Sequence, residues 1–395
     1  MKQIRLINDD YLGYVNRLRH ACRGIVVRDG KVLLSYEKKY DKYIIPGGGV
    51  EDNESYQECC ERELLEETGI KVKAVSEYLE TEELFEDWRH INHYFICEYI
   101  EDTKTFNFTE AEKEACYEPA WVTVEEALKI FGSYEKYHKT AIEDYGLYRR
   151  EYYAIFEYYV QNMFFDGTQT VIGRGAQADV FRYHGYAYKV YHPTYRADWI
   201  AFEKAQQAAV NETGICRIKY YDTGIDHIVK MDLIDGDTLE KKMLEGFEGG
   251  FEILADAFRK IHKVELDGVK IPRLIDTAGF GLTDEEKDKI IPLIEKLSQK
   301  NDDCICHLDM HFLNIMMPFD GSEPLIIDWI NSRIAPAVFD YARTYVILNE
   351  CAPEVLGLYK DAVRDDLKSL GISDEDLADA VTVCTVIRNR EKKES

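Results

Sequence analysis

Gly48–Ile70, GGVEDNESYQECCERELLEETGI, is the stretch that decides how the first half of the chain is read. Gly48 and Gly49 follow Pro46-Gly47 and predict a tight loop whose backbone amides can approach an anion closely. Ser55 predicts a helix N-cap, good helix formers run on to Glu67, and Thr68-Gly69 predicts the stop, with Gly69 just past the last turn. On that helix Glu63, Glu66 and Glu67 stand at i, i+3 and i+4, so three carboxylates share one face.

Like charges so placed repel, and a solvated acidic face is the ordinary explanation of a Glu-rich helix. Arg62 beside the cluster and Glu54 near the helix start favour a second explanation. A hard dication, Mg²⁺ or Mn²⁺, prefers oxygen ligands and would neutralise the carboxylates, and a diphosphate would supply its remaining ligands.

The same residues resemble the Nudix box, G-x5-E-x7-R-E-U-x-E-E-x-G-U with U apolar. Gly48, Glu54, Arg62, Glu63, Leu64, Glu66, Glu67, Gly69 and Ile70 fill its specified positions. At about 7% frequency for each fixed residue type, chance agreement is on the order of one in a hundred million. The resemblance implies a mixed-sheet α/β/α sandwich that hydrolyses a nucleoside diphosphate linked to another moiety. It implies Glu66 and Glu67 as metal ligands, and Glu63 as a ligand or as the base that activates water. Arg62 would orient a carboxylate.

Composition bounds the rest. A chain of 395 residues is long enough for two or three domains with proper cores. Its 74 acidic and 49 basic residues leave a net charge of −25, which argues against nucleic acid or anionic membrane as a partner. The ten cysteines form no C-x-x-C pair, and Cys304 and Cys306, at strand spacing, read as buried thiols. The amino terminus lacks an apolar signal-like region and no run approaches a membrane span, so a reducing cytoplasm is the expected compartment.

Residues 1–20 give no clear element. Cys22–Arg28 and Lys31–Tyr36 predict a hairpin about Asp29-Gly30, and Lys71–Tyr78 and His93–Tyr99 predict strands. Between His93 and Trp121 runs an acidic loop. Family members recruit a further acidic group from this region, and Glu114 is the candidate, beside Gly48, Gly49 and Arg62 on the substrate side; a solvated charge run is the alternative. Arg23 is read as a phosphate contact or a surface ion pair. Val124–Phe131 and Tyr148–Phe165 predict helices, and Asp166-Gly167 marks a boundary between domains 1–166 and 167–395.

From Thr168 the pattern changes. TVIGRGAQADVFRYHGYAYKVYH predicts three strands joined by a glycine turn and by His184-Gly185. Gly173 and Gly175 free the backbone to lie over phosphates, and Lys189, mid-strand, needs an anionic partner if buried. Far along the chain, His307, Asp309 and Asn314 form H-x-D-x-x-x-x-N, and the apolar Leu325–Ile327 delivers Asp328. This order suits phosphoryl transfer. Asp309 would accept a proton from a hydroxyl, Asn314 and Asp328 would hold Mg²⁺ on a nucleotide, and Lys189 would neutralise phosphate charge.

Residues 168–350 resemble the aminoglycoside phosphotransferase and choline kinase branch of the protein-kinase-like fold. The resemblance implies a bilobal α/β second domain with ATP as phosphate donor. It implies Glu203 as partner of Lys189, with an ordinary surface Glu as the alternative, and Asp340 as a structural anchor. Met231–Leu239 would be the hinge between lobes. Leu308 departs from the Gly that relatives often carry, and His307 is read as a packed loop residue. The acidic runs 284–289 and 374–379 are either cation-attracting or solvated helix faces.

The leading reading is a bifunctional enzyme: a Mg²⁺-dependent Nudix hydrolase followed by an ATP-dependent small-molecule phosphotransferase. The alternative makes the second half a catalytically silent nucleotide-binding module that regulates the first. A third makes the Nudix half the binding module, against which the complete Glu63, Glu66 and Glu67 set argues. Homodimers are an expectation by family analogy alone.

Overall fold

The computed structural model describes residues 1–394, and the chain divides after Thr168 into two units. The first unit is built on a mixed eight-stranded sheet. Its strands are β1 (Lys2–Ile7), β2 (Arg17–Arg28), β3 (Lys31–Glu37), β4 (Lys42–Ile44), β5 (Gly47–Gly49), β6 (Ile70–Phe85), β7 (Trp88–Asp102) and β8 (Tyr117–Thr123). The order is β1-β6-β7-β2-β3-β4, with β5 beside β2 and β8 beside β3. β1 lies parallel to β6 and β2 parallel to β7; the other pairs are antiparallel.

Local chemistry explains most of these elements. Asp29 and Gly30, with φ of 51° and 74°, make the turn of the β2–β3 hairpin. The acidic helix α1 (Tyr56–Thr68) opens with a capping box between Ser55 and Glu58 and closes on Gly69 at φ 68°. Its apolar side, with Cys59, Cys60 and Leu64, packs on Cys22, Val26, Leu33, Val72 and Phe95 of the sheet. The segment read as an acidic loop contains α2 (Glu110–Ala115), capped by a Thr109–Glu112 box. After β8 come α3 (Val124–Gly132) and the aromatic α4 (Ile142–Tyr159), which starts earlier than Tyr148. The Tyr78 hydroxyl donates to the carbonyl of Ala154 in α4 at 2.8 Å.

Two readings of the first unit are corrected. The glycines do not form an anion loop: Gly47, Gly48 and Gly49 pair with Arg23, Cys22 and Ala21 as strand β5. A Cβ at Gly47 would stand 2.0 Å from the Cys22 carbonyl oxygen, so this close pairing requires glycine. Arg23, read as a phosphate contact or a surface ion pair, is not at the surface. It is buried, donating to the Ile45 carbonyl at 2.8 Å and to Asn92, and it lies 3.7 Å from Glu151 in a buried network with Arg150 and Glu83.

The second unit opens with an antiparallel five-stranded sheet of β9 (Thr170–Arg174), β10 (Ala178–Tyr183), β11 (Tyr186–Tyr191), β12 (Tyr220–Tyr221) and β13 (Ile228–Asp232), ordered β12-β13-β11-β10-β9. Helix α5 (Ala197–Glu212) follows β11. The larger, helical part has β14 (Gly236–Thr238), α6 (Leu239–Leu244), α7 (Gly250–Ile261), α8 (Leu274–Thr277) and α9 (Asp284–Lys300). Two small sheets follow, β15 (Asp303–Cys306) with β18 (Arg333–Pro336), and β16 (Ile315–Pro318) between β14 and β17 (Leu325–Ile326). Helices α10 (Val338–Cys351), α11 (Leu356–Ser369) and α12 (Asp374–Glu394) complete it over one large apolar core. Cys304 and Cys306 are buried, and both thiols donate to the Ala335 carbonyl. Among the described residues no helix is long and apolar enough to cross a membrane.

Candidate functional sites

In the first unit, α1 and β5 bring the acidic residues together. Arg62 is the organiser. Its guanidinium grips Glu54 through two bonds of 2.7 and 2.9 Å and also donates to Glu63 at 2.8 Å, to Glu66 at 3.1 Å and to the Gly49 carbonyl. Arg62 thus orients carboxylates and does not stand free on the substrate side. Gly48 leaves room for Glu63: a Cβ there would lie 2.5 Å from its carboxylate. Glu67 is buried and accepts from the Ser35 hydroxyl at 2.8 Å and from the Gly47 amide at 3.3 Å. Glu66 accepts from Asn107 at 2.9 Å.

This is a surplus of negative charge in a shielded place. Burial pushes the Glu63 carboxyl up, against the pull of Arg62. Burial pushes Glu67 further, to about 8, although Ser35 and Arg23 favour its ionised form. Both also feel the charge of Glu112. Glu114, by contrast, is exposed and pairs with Lys39 at 2.8 Å, so the structure does not bring it to the cluster. Glu112, two residues earlier and so on the opposite side of α2, is the acidic residue of that segment whose field reaches α1. Ser35 was also missed, although a lone polar residue in the apolar run KVLLSY was a visible signal. The buried carboxylate surplus fits a hard dication.

In the second unit, β11 and α5 place Lys189 and Glu203 at 2.8 Å. Tyr191 and Tyr220 donate to the same carboxylate at 2.6 and 3.3 Å. Burial works against the Lys189 charge, but Asp328 and Glu203 outweigh it and hold the ammonium protonated. Gly173 lies in β9, and the Gly175 amide closes the turn onto the Ala178 carbonyl at 2.9 Å.

The β15–β16 connection carries the other groups. The Asn314 amide donates to the Asp309 backbone and carboxylate at 2.9 and 3.3 Å. Burial raises the Asp309 carboxyl, but His311, Arg343 and His307 outweigh it and hold it near 2. Asp328, at φ 65°, is pushed up by burial while Lys189 pulls it down. Its Oδ1 is buried without a hydrogen-bond partner among the described residues. That orphaned oxygen, beside an ionised Asp309, fits a dication as well. Asp340 is fully buried and accepts from the amides of His307 and Leu308 at 3.1 and 2.8 Å and from His262 at 3.0 Å. His307 is buried, donates to the Ile327 carbonyl at 3.0 Å and is held neutral by burial.

Comparison with known proteins follows the same division. The family model described as the NUDIX domain matches residues 18–145, and that of the phosphotransferase enzyme family matches residues 168–371. Diphosphoinositol polyphosphate phosphohydrolase 3-alpha of Mus musculus is 29% identical over 120 residues, 29% of this chain and 69% of the relative. The choline kinase LicA of Streptococcus pneumoniae is a similar solved structure at 16% identity and a TM-score of 0.40, covering 56% of this chain and 84% of that one. The E. coli ORF135 protein matches at 19% identity and a TM-score of 0.24, over 32% of this chain and 94% of that one.

Proposed function

The chain belongs to the phosphotransferase enzyme family through its second unit and carries a Nudix domain in its first, and on that premise we propose two phosphate chemistries in one polypeptide. The first unit hydrolyses a diphosphate bond, and the second passes a phosphoryl group from ATP to a small-molecule hydroxyl. One observation carries the reading: each unit gathers carboxylates around a shielded acidic oxygen, on the buried Glu67 in the first and on Oδ1 of Asp328 in the second, where burial and neighbouring carboxylates both disfavour the charge.

When bound, Mg²⁺ or Mn²⁺ would neutralise phosphate charge and acidify water. In the first unit Glu63, Glu66 and Glu67 would hold it, with Arg62 keeping Glu63 and Glu66 in place. As the alternative to a ligand role, Glu63, beside Gly48, would take the proton of the attacking water. In the second unit Asn314 and Asp328 would hold the dication, Lys189 would meet donor phosphates fixed by Glu203, and Asp309 would orient the acceptor hydroxyl and receive its proton. The curated relatives carry diphosphoinositol polyphosphate in their names. Phosphorylated alcohols bearing a diphosphate therefore stand beside nucleoside diphosphate derivatives as substrates of the first unit.

The test follows both reactions in the full chain by ³¹P NMR with Mg²⁺, offering ADP-ribose, a nucleotide sugar and a diphosphoinositol, and separately ATP with a panel of alcohols. Glu67→Gln is expected to lower hydrolysis, and Asp309→Ala phosphoryl transfer, each by about 10²- to 10⁴-fold, while sparing the other activity. Unchanged hydrolysis in Glu67→Gln would remove the first assignment. ATP binding without turnover in the wild type would leave the second unit as the silent regulatory module.

A further inference from the structure

The catalytic loop of the second unit borders a cavity of about 50 Å³, enclosed by α8, α12 and the segment that follows Asp328. Leu308, next to Asp309, forms part of its wall, and so does Asn331. The space holds a few water-sized groups, the scale of one carboxylate or phosphate.

Its charge is unexpected in a chain of net charge −25. Three arginines, Arg333, Arg343 and Arg390, face it, and among the described residues that line it the one carboxylate is Glu391. That carboxylate is already shared: Arg343 donates to it, and Arg388 and Arg390 lie 3.6 and 3.9 Å away. Arg343 spends its other donors on the carbonyls of Leu308 and Cys384. Arg333 makes its hydrogen bonds to neutral groups. It donates to the Thr277 hydroxyl at 3.0 Å and to the carbonyls of Ile330 and Ser332, and its guanidinium lies 5.3 Å from the Phe202 ring. Among the described residues no carboxylate stands within ion-pair distance of it. Burial, then the charge of Arg390, depresses it to about 10.

A shielded guanidinium with no direct ion pair, sharing the field of Glu391 with two other arginines, is costly, and an oxyanion would offset that cost through a planar two-point contact. The acidic run 374–379 is partly neutralised by lysines. Glu375 and Asp379 are taken by Lys296, and Asp376 by Lys300.

We propose that this cavity binds an anionic group of the phosphate acceptor, so that the second unit phosphorylates a hydroxyl on a molecule bearing a carboxylate or phosphate and not a cationic amine. This rests on the transfer reaction proposed above and adds the class of its acceptor.

The experiment compares matched acceptors with the full chain, Mg²⁺ and ATP: ribose 5-phosphate against ribose, glycerate against glycerol, and choline as the cation. Binding of ribose 5-phosphate and glycerate is measured in parallel by calorimetry with a non-hydrolysable ATP analogue present. At least one anionic member is expected to bind and to exceed its neutral mate in kcat/KM by about tenfold or more. Arg333→Met and, independently, Arg390→Gln are expected to raise KM for that acceptor by a similar factor while KM for ATP stays put. Anion binding lost in both variants, without transfer in any arm, would keep the cavity assignment and sink the transfer reaction. Preference for choline or the neutral mates, absence of anion binding by the wild type, or unchanged anion binding in both folded variants would overturn the proposal.

Discussion

A methyl group at Gly48 would lie 2.5 Å from the Glu63 carboxylate, closer than any side chain tolerates. Gly48→Ala is therefore expected to leave the fold intact, because its φ is not in the left-handed region, yet to displace Glu63. Dication-dependent hydrolysis should fall about tenfold or more, with a melting temperature within a few degrees of wild type by calorimetry. At Leu308 the backbone takes φ 56° without glycine's freedom. The strain, about 1–2 kcal/mol, is offset by bonds from its amide to Asp340 and from Arg343 to its carbonyl. His90 makes a different prediction. Burial, then Arg150, Arg23 and Arg19, push its imidazole down to about 2, and its Nε2 is buried without a partner among the described residues. The unfolded chain binds this proton below about pH 6.5 and the folded chain does not, so stability is lost as pH falls. Between about pH 6.5 and 5 the loss approaches 1.4 kcal/mol per pH unit, and His90→Asn should flatten that slope in urea titrations of residues 1–168.

At the scale of elements, what could be read from sequence depended on whether a signal was local. Helix α1 is written by Ser55, Glu58 and Gly69 within its own span, and the hairpin turns by Asp29-Gly30 and His184-Gly185. The long β6–β7 hairpin was read only as two shorter strands, because irregularities after Lys71, Ala74 and Glu77 interrupt the alternation. Strand β1 escaped notice because its pairing partner, β6, lies far along the chain. The segment after β15 that carries Asp309 depends on α10 in the same way. Asp340 pins two of its amides, and Asp340→Ala would strip them of a partner in a buried place. We expect a loss of about 1–3 kcal/mol per orphaned group and a drop in phosphoryl-transfer kcat larger than any change in KM for ATP, measured by steady-state kinetics and denaturant unfolding.

At the scale of the whole molecule, each unit owns its sheet and its apolar core. Residues 1–168 and 169–395, expressed separately, are expected to show one cooperative calorimetric transition each; failure of either to fold alone would mean that its core is incomplete without the other. The two candidate sites could be picked out because the proposed chemistry calls for fixed residue types at helix or loop spacing: three glutamates on one face of α1, and Asp309, Asn314 and Asp328 around two turns. That Lys189 needed an anion followed from its place mid-strand, while Glu203 as that anion came from the family resemblance, and the two pair at 2.8 Å. What sequence could not disclose was which like residues along an acidic segment turn inward. Glu112 and Glu114 sit in the same helix, and only its docking gives one the field of α1 and the other Lys39. Nor could it disclose the arginine cavity, whose members come from β18, α10 and α12. Spacing along the chain determines the chemistry that one element carries; the sign of a cavity's charge is a sum over elements, and only packing performs that sum.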